Sequence, residues 1–192
     1  MNYLAHIFLS GNNLRIQVGN FIGDFVKGSK LDDYPDSIRK GIRLHRLIDS
    51  YTDSHEVVVG AKAFIRPAFG RYSGIVLDMY FDYFLAVNIH RYAGHSLRFY
   101  ATRFYLAALL NYAYLPIRVR SFIFHFISTN RLMQYRTLEG LRFSLEIMSR
   151  RKVPAIDPGK TISFLEENKG EIERRFLQFF PDLMAFVERT HL

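Results

Sequence analysis

Gly41-Ile42-Arg43-Leu44-His45-Arg46-Leu47-Ile48-Asp49-Ser50-Tyr51-Thr52-Asp53-Ser54-His55 sets one imidazole and two carboxylates at successive intervals of four. A step of four along an α-helix turns the side chain by only about 40°. Read as a helix, the stretch therefore lines His45, Asp49 and Asp53 along one face, and Ile42, Leu44, Leu47, Ile48 and Tyr51 give it an apolar face to bury. Two further pairs at the same spacing flank it, Asn20 with Asp24 and Asp78 with Asp82, each in an apolar run (Val18 to Val26, Ile75 to Val87). Unpaired carboxylates enter such surroundings only at high cost, and like charges four apart on a helix repel. A bound cation accounts for all three pairs at once. The plainer alternatives are a surface ion pair of a few tenths of a kcal/mol for His45 and Asp49, and a buried amide bonded to backbone for Asn20.

Helical periodicity extends outward from this segment over most of the chain. Leu14, Val18, Phe21, Ile22 and Phe25 mark a helix over 12–27, with Gly28 as its stop. Pro35-Asp36 opens the helix that carries His45, and others are expected near 55–69, 71–92, 96–112, 117–128, 131–149, 160–180 and 181–191. Asp157-Pro158 has the form of an N-cap followed by proline at the first helical position. Gly19 and Gly23, four apart in a helical pattern, predict a close helix approach or room for a ligand. Strand alternation bounded by hairpin turns is missing, as are repeats and a linker long enough to divide the chain. The expected fold is all-α, a single-domain bundle of short helices spanning residues 1–192.

The chain has 49% hydrophobic residues, with 18 Phe and 12 Tyr, which excludes a disordered polymer. It has no cysteine, which excludes disulfides, thiolate metal sites and a cysteine nucleophile. The first residues lack the basic-then-apolar pattern of a signal peptide, and the apolar stretch around Tyr105 to Ile117 is interrupted by Asn111 and Pro116. A cytoplasmic protein with no membrane span is expected. Charge is unevenly placed: residues 91–152 hold eleven basic side chains against Glu139 and Glu146, a balance of +9, leaving −1 for the remainder of a chain whose total is +8. Such asymmetry favours an acidic partner, with solvated helix faces as the bland alternative.

Phosphate-binding glycine loops, the dinucleotide fingerprint, the serine-hydrolase elbow and the zinc-protease helix motif are all absent from the sequence. What remains is a set of His, Asp and Asn side chains. Carboxylate, amide oxygen and imidazole together suit Mn²⁺, Mg²⁺ or Fe²⁺. Such ions polarise a phosphoryl oxygen and lower the pKa of bound water, so metal-assisted hydrolysis of a phosphate ester is the chemistry indicated.

The chain also resembles the acyl carrier protein phosphodiesterases. The likeness runs from Asn2-Tyr3-Leu4-Ala5-His6 through the Gly19-to-Gly28 segment, the Gly41-to-Asp49 segment with Thr52-Asp53, and Leu77-Asp78-Met79-Tyr80-Phe81-Asp82-Tyr83-Phe84-Leu85. It continues through Tyr135-Arg136 and Met148-Ser149-Arg150-Arg151 to Arg174-to-Pro181. The resemblance implies an all-α fold distantly like the HD phosphohydrolases, although the chain has no adjacent His-Asp pair. It implies a divalent-metal enzyme, Mn²⁺ first, that cleaves 4′-phosphopantetheine from holo acyl carrier protein to leave the apo carrier. Acyl carrier proteins are acidic, which matches the basic region.

Carried over by position, the family's motifs fall on His6, Asp24, His45, Asp49, Asp53, Asp78 and Asp82. Asp24, His45, Asp78 and Asp82 are expected to converge and to supply most metal ligands, with Asp24, His45 and Asp49 doing the chemistry. Asp49 and Asp53 are expected to bind the ion or to orient His45, while His6 and Asn20 line or support the pocket. Arg150 and Arg151 are the first choices for docking the carrier. Two rivals stand beside this reading. One is an HD-like phosphohydrolase of another small phosphate ester or nucleotide. The other is a non-catalytic basic helical protein for polyanions, and the spaced carboxylates disfavour a nucleic-acid partner.

Overall fold

The computed structural model describes residues 1–28, 31–151 and 155–190. Among these the chain is all-α: helices α1 (Tyr3–Leu9), α2 (Leu14–Ile22), α3 (Asp36–Ser54), α4 (Glu56–Phe69) and α5 (Ser73–Asn88) build the first half. Helices α6 (Leu97–Leu110), α7 (Ile117–Ser128), α8 (Arg131–Gln134), α9 (Leu138–Arg151), α10 (Pro158–Glu167) and α11 (Lys169–Arg189) complete it. The helix opened by Pro35-Asp36 runs through the whole His45 segment, and Asp157 caps α10 by accepting from the Lys160 amide at 3.1 Å with Pro158 at the helix start. No helix is long and apolar enough to cross a membrane among the described residues.

Two local expectations are corrected, and one helix carries no signal in the sequence. The span expected as one helix over 131–149 divides into α8 and α9, because Gly140 packs onto the Gln134 carbonyl where any Cβ would overlap it. The C-terminal break falls at Asn168, ahead of Pro181, which α11 absorbs within its length. Helix α1 carries no periodic pattern because Leu4 to Leu9 are buried all round, so its residues read as a plain apolar run.

Helices α2 and α3 form the closest pair in the fold. Gly19 and Gly41 face each other so tightly that a Cβ on Gly19 would overlap the Ile38 carbonyl, and one on Gly41 the Ile16 carbonyl. The close approach predicted from the Gly19–Gly23 spacing is therefore made against α3. Around this pair Tyr3, Phe21, Phe104 and Phe126 pack with ring centroids 4.6–6.3 Å apart. Each such contact contributes about 0.5–1.5 kcal/mol beyond simple burial. Within this packing α2 reaches both α1 and α3 through Asn20, which contacts His6 and His45.

Candidate metal centre

Asn20 on α2 is fully buried and governs the geometry of two histidines from neighbouring helices. Its side-chain amide nitrogen donates to the His6 carbonyl and the Ser10 hydroxyl, both at 2.9 Å. A carbonyl can only accept, so the other end of the amide must be the oxygen, and that oxygen lies 2.7 Å from His6 Nδ1. His6 Nδ1 therefore carries the proton. The backbone carbonyl of the same Asn20 lies 2.7 Å from His45 Nδ1, which fixes the second ring in the same tautomer. Gly23 completes the arrangement, since a Cβ there would run into the His45 ring. The two imidazoles stack with centroids 4.0 Å apart and aim both Nε2 atoms at one point.

Two carboxylates meet them there. His6 Nε2 is 3.3 Å from Asp49 Oδ1, and His45 Nε2 is 3.1 Å from Asp49 Oδ2 and 3.2 Å from Asp24 Oδ1. Burial drives His6 down to about 4 despite its carboxylate neighbour, so the ring is neutral at pH 7. Its Nε2 is then a bare lone pair, buried without a hydrogen-bond partner and facing a carboxylate. Burial opposes the charge on His45 too, but hydrogen bonds to Asp24 and Asp49 outweigh it and raise that ring to about 9. Asp49 is held well below the usual carboxylate range: burial works against it, and the hydrogen bond with His45 together with the Met1 amine overcomes that. Asp24, on the 3₁₀ turn after α2, is lowered chiefly by its hydrogen bond with His45.

A cation suits this arrangement. Ligand atoms of His6, His45 and Asp49 lie within 4.8 Å of one another, a span that an ion with bonds of about 2.0–2.6 Å can bridge. The orphaned Nε2 of His6 supplies a ligand atom that no hydrogen bond among the described residues uses.

The other sequence candidates are placed differently. Asp78 on α5 lies 3.3 Å from the Met1 amine, which also approaches Asp49 at 3.6 Å, so Asp78 adjoins the centre through that ammonium. Asp82, one turn further along α5, is fully buried and accepts the Leu4 and Ala5 amides at 2.8 and 3.2 Å. Both its oxygens thus serve the N-terminus of α1, where the Asn2 side chain makes no cap of its own. Asp53 is exposed and paired with Lys62 of α4 at 2.6 Å, apart from the histidines. Arg150 is exposed at the end of α9; the Arg151 side chain and Lys152 lie outside the described residues.

The His6–His45 hollow shares Met1, Asn2, Tyr3 and Asp24 with a cavity of about 290 Å³. Its walls are mainly apolar, from Ile75, Met79, Phe122, Phe126, Ile147 and Met148. Four further polar side chains line it: His125, Arg131, Tyr135 and Ser144. Sequence spacing did not single out these four. They come from α7, from α9 and from the α8 segment with the turn after it, and each is isolated in the chain; only the folded arrangement collects them.

An all-helical frame whose His/Asp centre adjoins a ligand-sized, largely apolar cavity has the form of a candidate active site. The model of the acyl carrier protein phosphodiesterase family matches residues 1–183, and the chain belongs to that family. The chain is 30% identical to the acyl carrier protein phosphodiesterase of Enterobacter sp. (strain 638), 29% to that of Pectobacterium atrosepticum and 28% to that of Yersinia pestis, each over the whole of both chains. No solved structure gives a significant match.

Proposed function

We propose that this chain removes 4′-phosphopantetheine from holo acyl carrier protein, with a divalent cation held by His6, His45, Asp49 and Asp24. The observation that carries the metal is the pair of histidines whose Nδ1 atoms are both committed to Asn20, so that both Nε2 atoms converge on two carboxylates, that of His6 as a lone pair and that of His45 as one once its proton is displaced. Family membership supports the substrate. Two imidazoles with two carboxylates favour Mn²⁺, with Fe²⁺ or Mg²⁺ as alternatives.

In the reaction, water adds to phosphorus as the bond to the carrier serine oxygen breaks. The products are the serine hydroxyl, which gains a proton, and the free phosphomonoester. A bound ion would supply Lewis acidity and lower the pKa of a water on it. Asn20 holds both rings in the ligating tautomer. Asp24, ionised and shared between the centre and the cavity, is placed to take a proton from the attacking water. The +9 balance of residues 91–152 supports docking of an acidic carrier, with Arg150 and Arg151 near the end of the helix that also gives the cavity Ile147 and Met148.

The test is metal analysis of the purified protein together with mass spectrometry of holo carrier incubated with it and Mn²⁺. Loss of the phosphopantetheine mass, abolished by chelator, is the expected result. A carrier that keeps its full mass at stoichiometric enzyme refutes the reading.

A further inference from the structure

We infer that the exposed apolar face of α7, with the turn that precedes it, is the docking surface for an acidic protein substrate whose carboxylates meet the arginines around that face. The inference rests on the carrier reading above and names the surface that would seat this partner. Ile117 is 83% exposed, Leu110 67% and Phe124 57%, so most of the area of three large apolar side chains stays in water. Ile117 and Phe124 stand seven apart on α7, a net turn of about 20°, and share one face of it. The Tyr112 ring lies against Phe124 with centroids 5.4 Å apart, which brings the chain just after Leu110 onto the same face. Apolar side chains grouped in this way on a surface mark an interaction site.

The charge around this face selects its occupant. Residues 83–138 contain seven arginines and no aspartate or glutamate. Arg118 is exposed beside Ile117, and its guanidinium has no ion pair or hydrogen bond among the described residues. Arg120 is held over the Tyr112 ring at 5.4 Å, its Nε and Nη2 donating to the Leu115 and Ala113 carbonyls at 2.7 and 2.6 Å. A protein face with apolar side chains set among carboxylates complements this surface in both respects: apolar contact supplies affinity, and charge sets orientation. A second copy of the chain, itself at +8, would set arginine against arginine in a twofold contact. Placement favours a substrate over a lipid surface. Helix α7 also gives the cavity Phe122, His125 and Phe126, and His125 is exposed, so the docking face and the cavity meet on one helix. A partner seated on Ile117 and Phe124 lies beside the space its phosphate ester has to enter.

The test measures, by calorimetry with Mn²⁺ present, the binding of apo acyl carrier protein to the wild type, Ile117→Asp and Phe124→Ala, with 4′-phosphopantetheine as the small-ligand control. Apo carrier lacks the scissile bond, so its affinity reads the surface without turnover. Ile117 begins α7, where an aspartate favours the helix, so Ile117→Asp keeps the fold while setting a negative charge before the partner. Loss of an apolar anchor corresponds to about tenfold in affinity. Both variants should weaken apo carrier by that factor or more, while 4′-phosphopantetheine binds all three proteins alike within about twofold. Apo carrier bound equally by the wild type and Ile117→Asp overturns the inference, as does a wild type that does not bind it. Equal losses for carrier and 4′-phosphopantetheine overturn it too, since they report a change in fold; if Phe124→Ala does not fold, Ile117→Asp decides. Phosphatidylglycerol vesicles that bind the wild type but not Ile117→Asp, with carrier affinity unchanged, would make the face a lipid surface. A dimer abolished by Ile117→Asp, again with carrier affinity unchanged, would make it a contact between copies, and either result overturns the inference. Turnover of holo carrier by the wild type is scored separately. Cleavage with binding that ignores the variants rejects the surface and keeps the hydrolase reading, whereas variant-sensitive binding without cleavage keeps the surface and rejects that reading.

Discussion

Replacing Asn20 by leucine isolates the feature on which the candidate centre depends. The change preserves approximate volume on α2 but deletes the amide that accepts from His6 Nδ1 and donates to the His6 carbonyl and Ser10 Oγ. Three buried hydrogen bonds are lost, at about 1 kcal/mol net each, so the folded state should lose about 3 kcal/mol. For a chain of this size that lowers the melting temperature by about 6–12 °C. His45 keeps its acceptor, because that acceptor is the backbone carbonyl of residue 20. The two histidines should therefore respond differently. In metal-free protein, imidazole ¹⁵N spectra should show His6 moving its proton to Nε2, where Asp49 waits 3.3 Å away, while the His45 Nδ1 proton remains in place. A protonated Nε2 cannot ligate. Removing such a support typically costs about 10- to 100-fold in metal affinity, which Mn²⁺ calorimetry would measure. Asn20→Asp keeps the acceptor for His6 and should retain more affinity than Asn20→Leu. If Asn20→Leu binds Mn²⁺ within about twofold of wild type and His6 keeps its tautomer, the reasoning is refuted.

Other perturbations probe the same geometry from different sides. Gly23→Ala forces a methyl into the His45 ring, so it should lower Mn²⁺ affinity about tenfold or more, and an unchanged binding isotherm would disprove the contact. Asp24→Ala should remove most turnover while the protein stays folded, because this carboxylate is exposed; near-normal kcat would take Asp24 out of the mechanism. In metal-free protein His45 is raised to about 9, so the stability it contributes is complete below pH 6.5 and is lost as pH rises through 9. His6 is lowered to about 4, so its contribution is present above pH 6.5 and is lost as pH falls through 4, and melting curves across both ranges check the pair. At pH 7 metal must displace the His45 proton but none from His6, so calorimetry in buffers of different ionisation enthalpy should report about one proton released per ion from these two rings. Arg150→Glu should raise KM for carrier protein several-fold at low salt, with the ratio to wild type shrinking toward one near about 1 M salt; a salt-independent effect would mean a packing role.

The fold was legible where amphipathic periodicity was strong. The helix carrying His45 declares itself by an apolar stripe and an entering proline, and α10 by Asp157-Pro158. Helix α1 escaped because full burial erases the polar half of the pattern, and the 131–149 span divided because packing at Gly140 overrides a continuous periodicity. The centre was legible in part for the same physical reason. Spacing of four on one helix does place His45 and Asp49 together, 3.1 Å apart at their closest atoms. It cannot tell which helix ends meet, so Asp82 and Asp53 carried the same signal as Asp49 yet face α1 amides and a lysine. Arg131 gave no signal at all, because its setting is made by Tyr105, Phe143 and Ser144 from other helices.

The carboxylates of α5 nevertheless bear on the centre through α1. A seven-residue helix is too short to hold its own shape in water, and its first amides have no partners within it. Asp82 supplies them, and a carboxylate at that end also meets the positive pole of the helix. Burial raises Asp82 to about 7 in spite of these bonds, so the interaction is made at the limit of what the surroundings allow for a charge. Its effect on the centre is positional: His6 lies just beyond the capped residues, and its ring can meet His45 only if α1 enters at this angle. The like-charged pair four apart on α5 is thereby explained without repulsion as a net cost, since Asp82 faces two amides and Asp78 an ammonium. One helix thus fixes the entry of another, whose histidine is then locked by a third through Asn20. The atoms of the candidate centre come from α1, α3 and the turn after α2, and no two of those elements could hold the geometry alone.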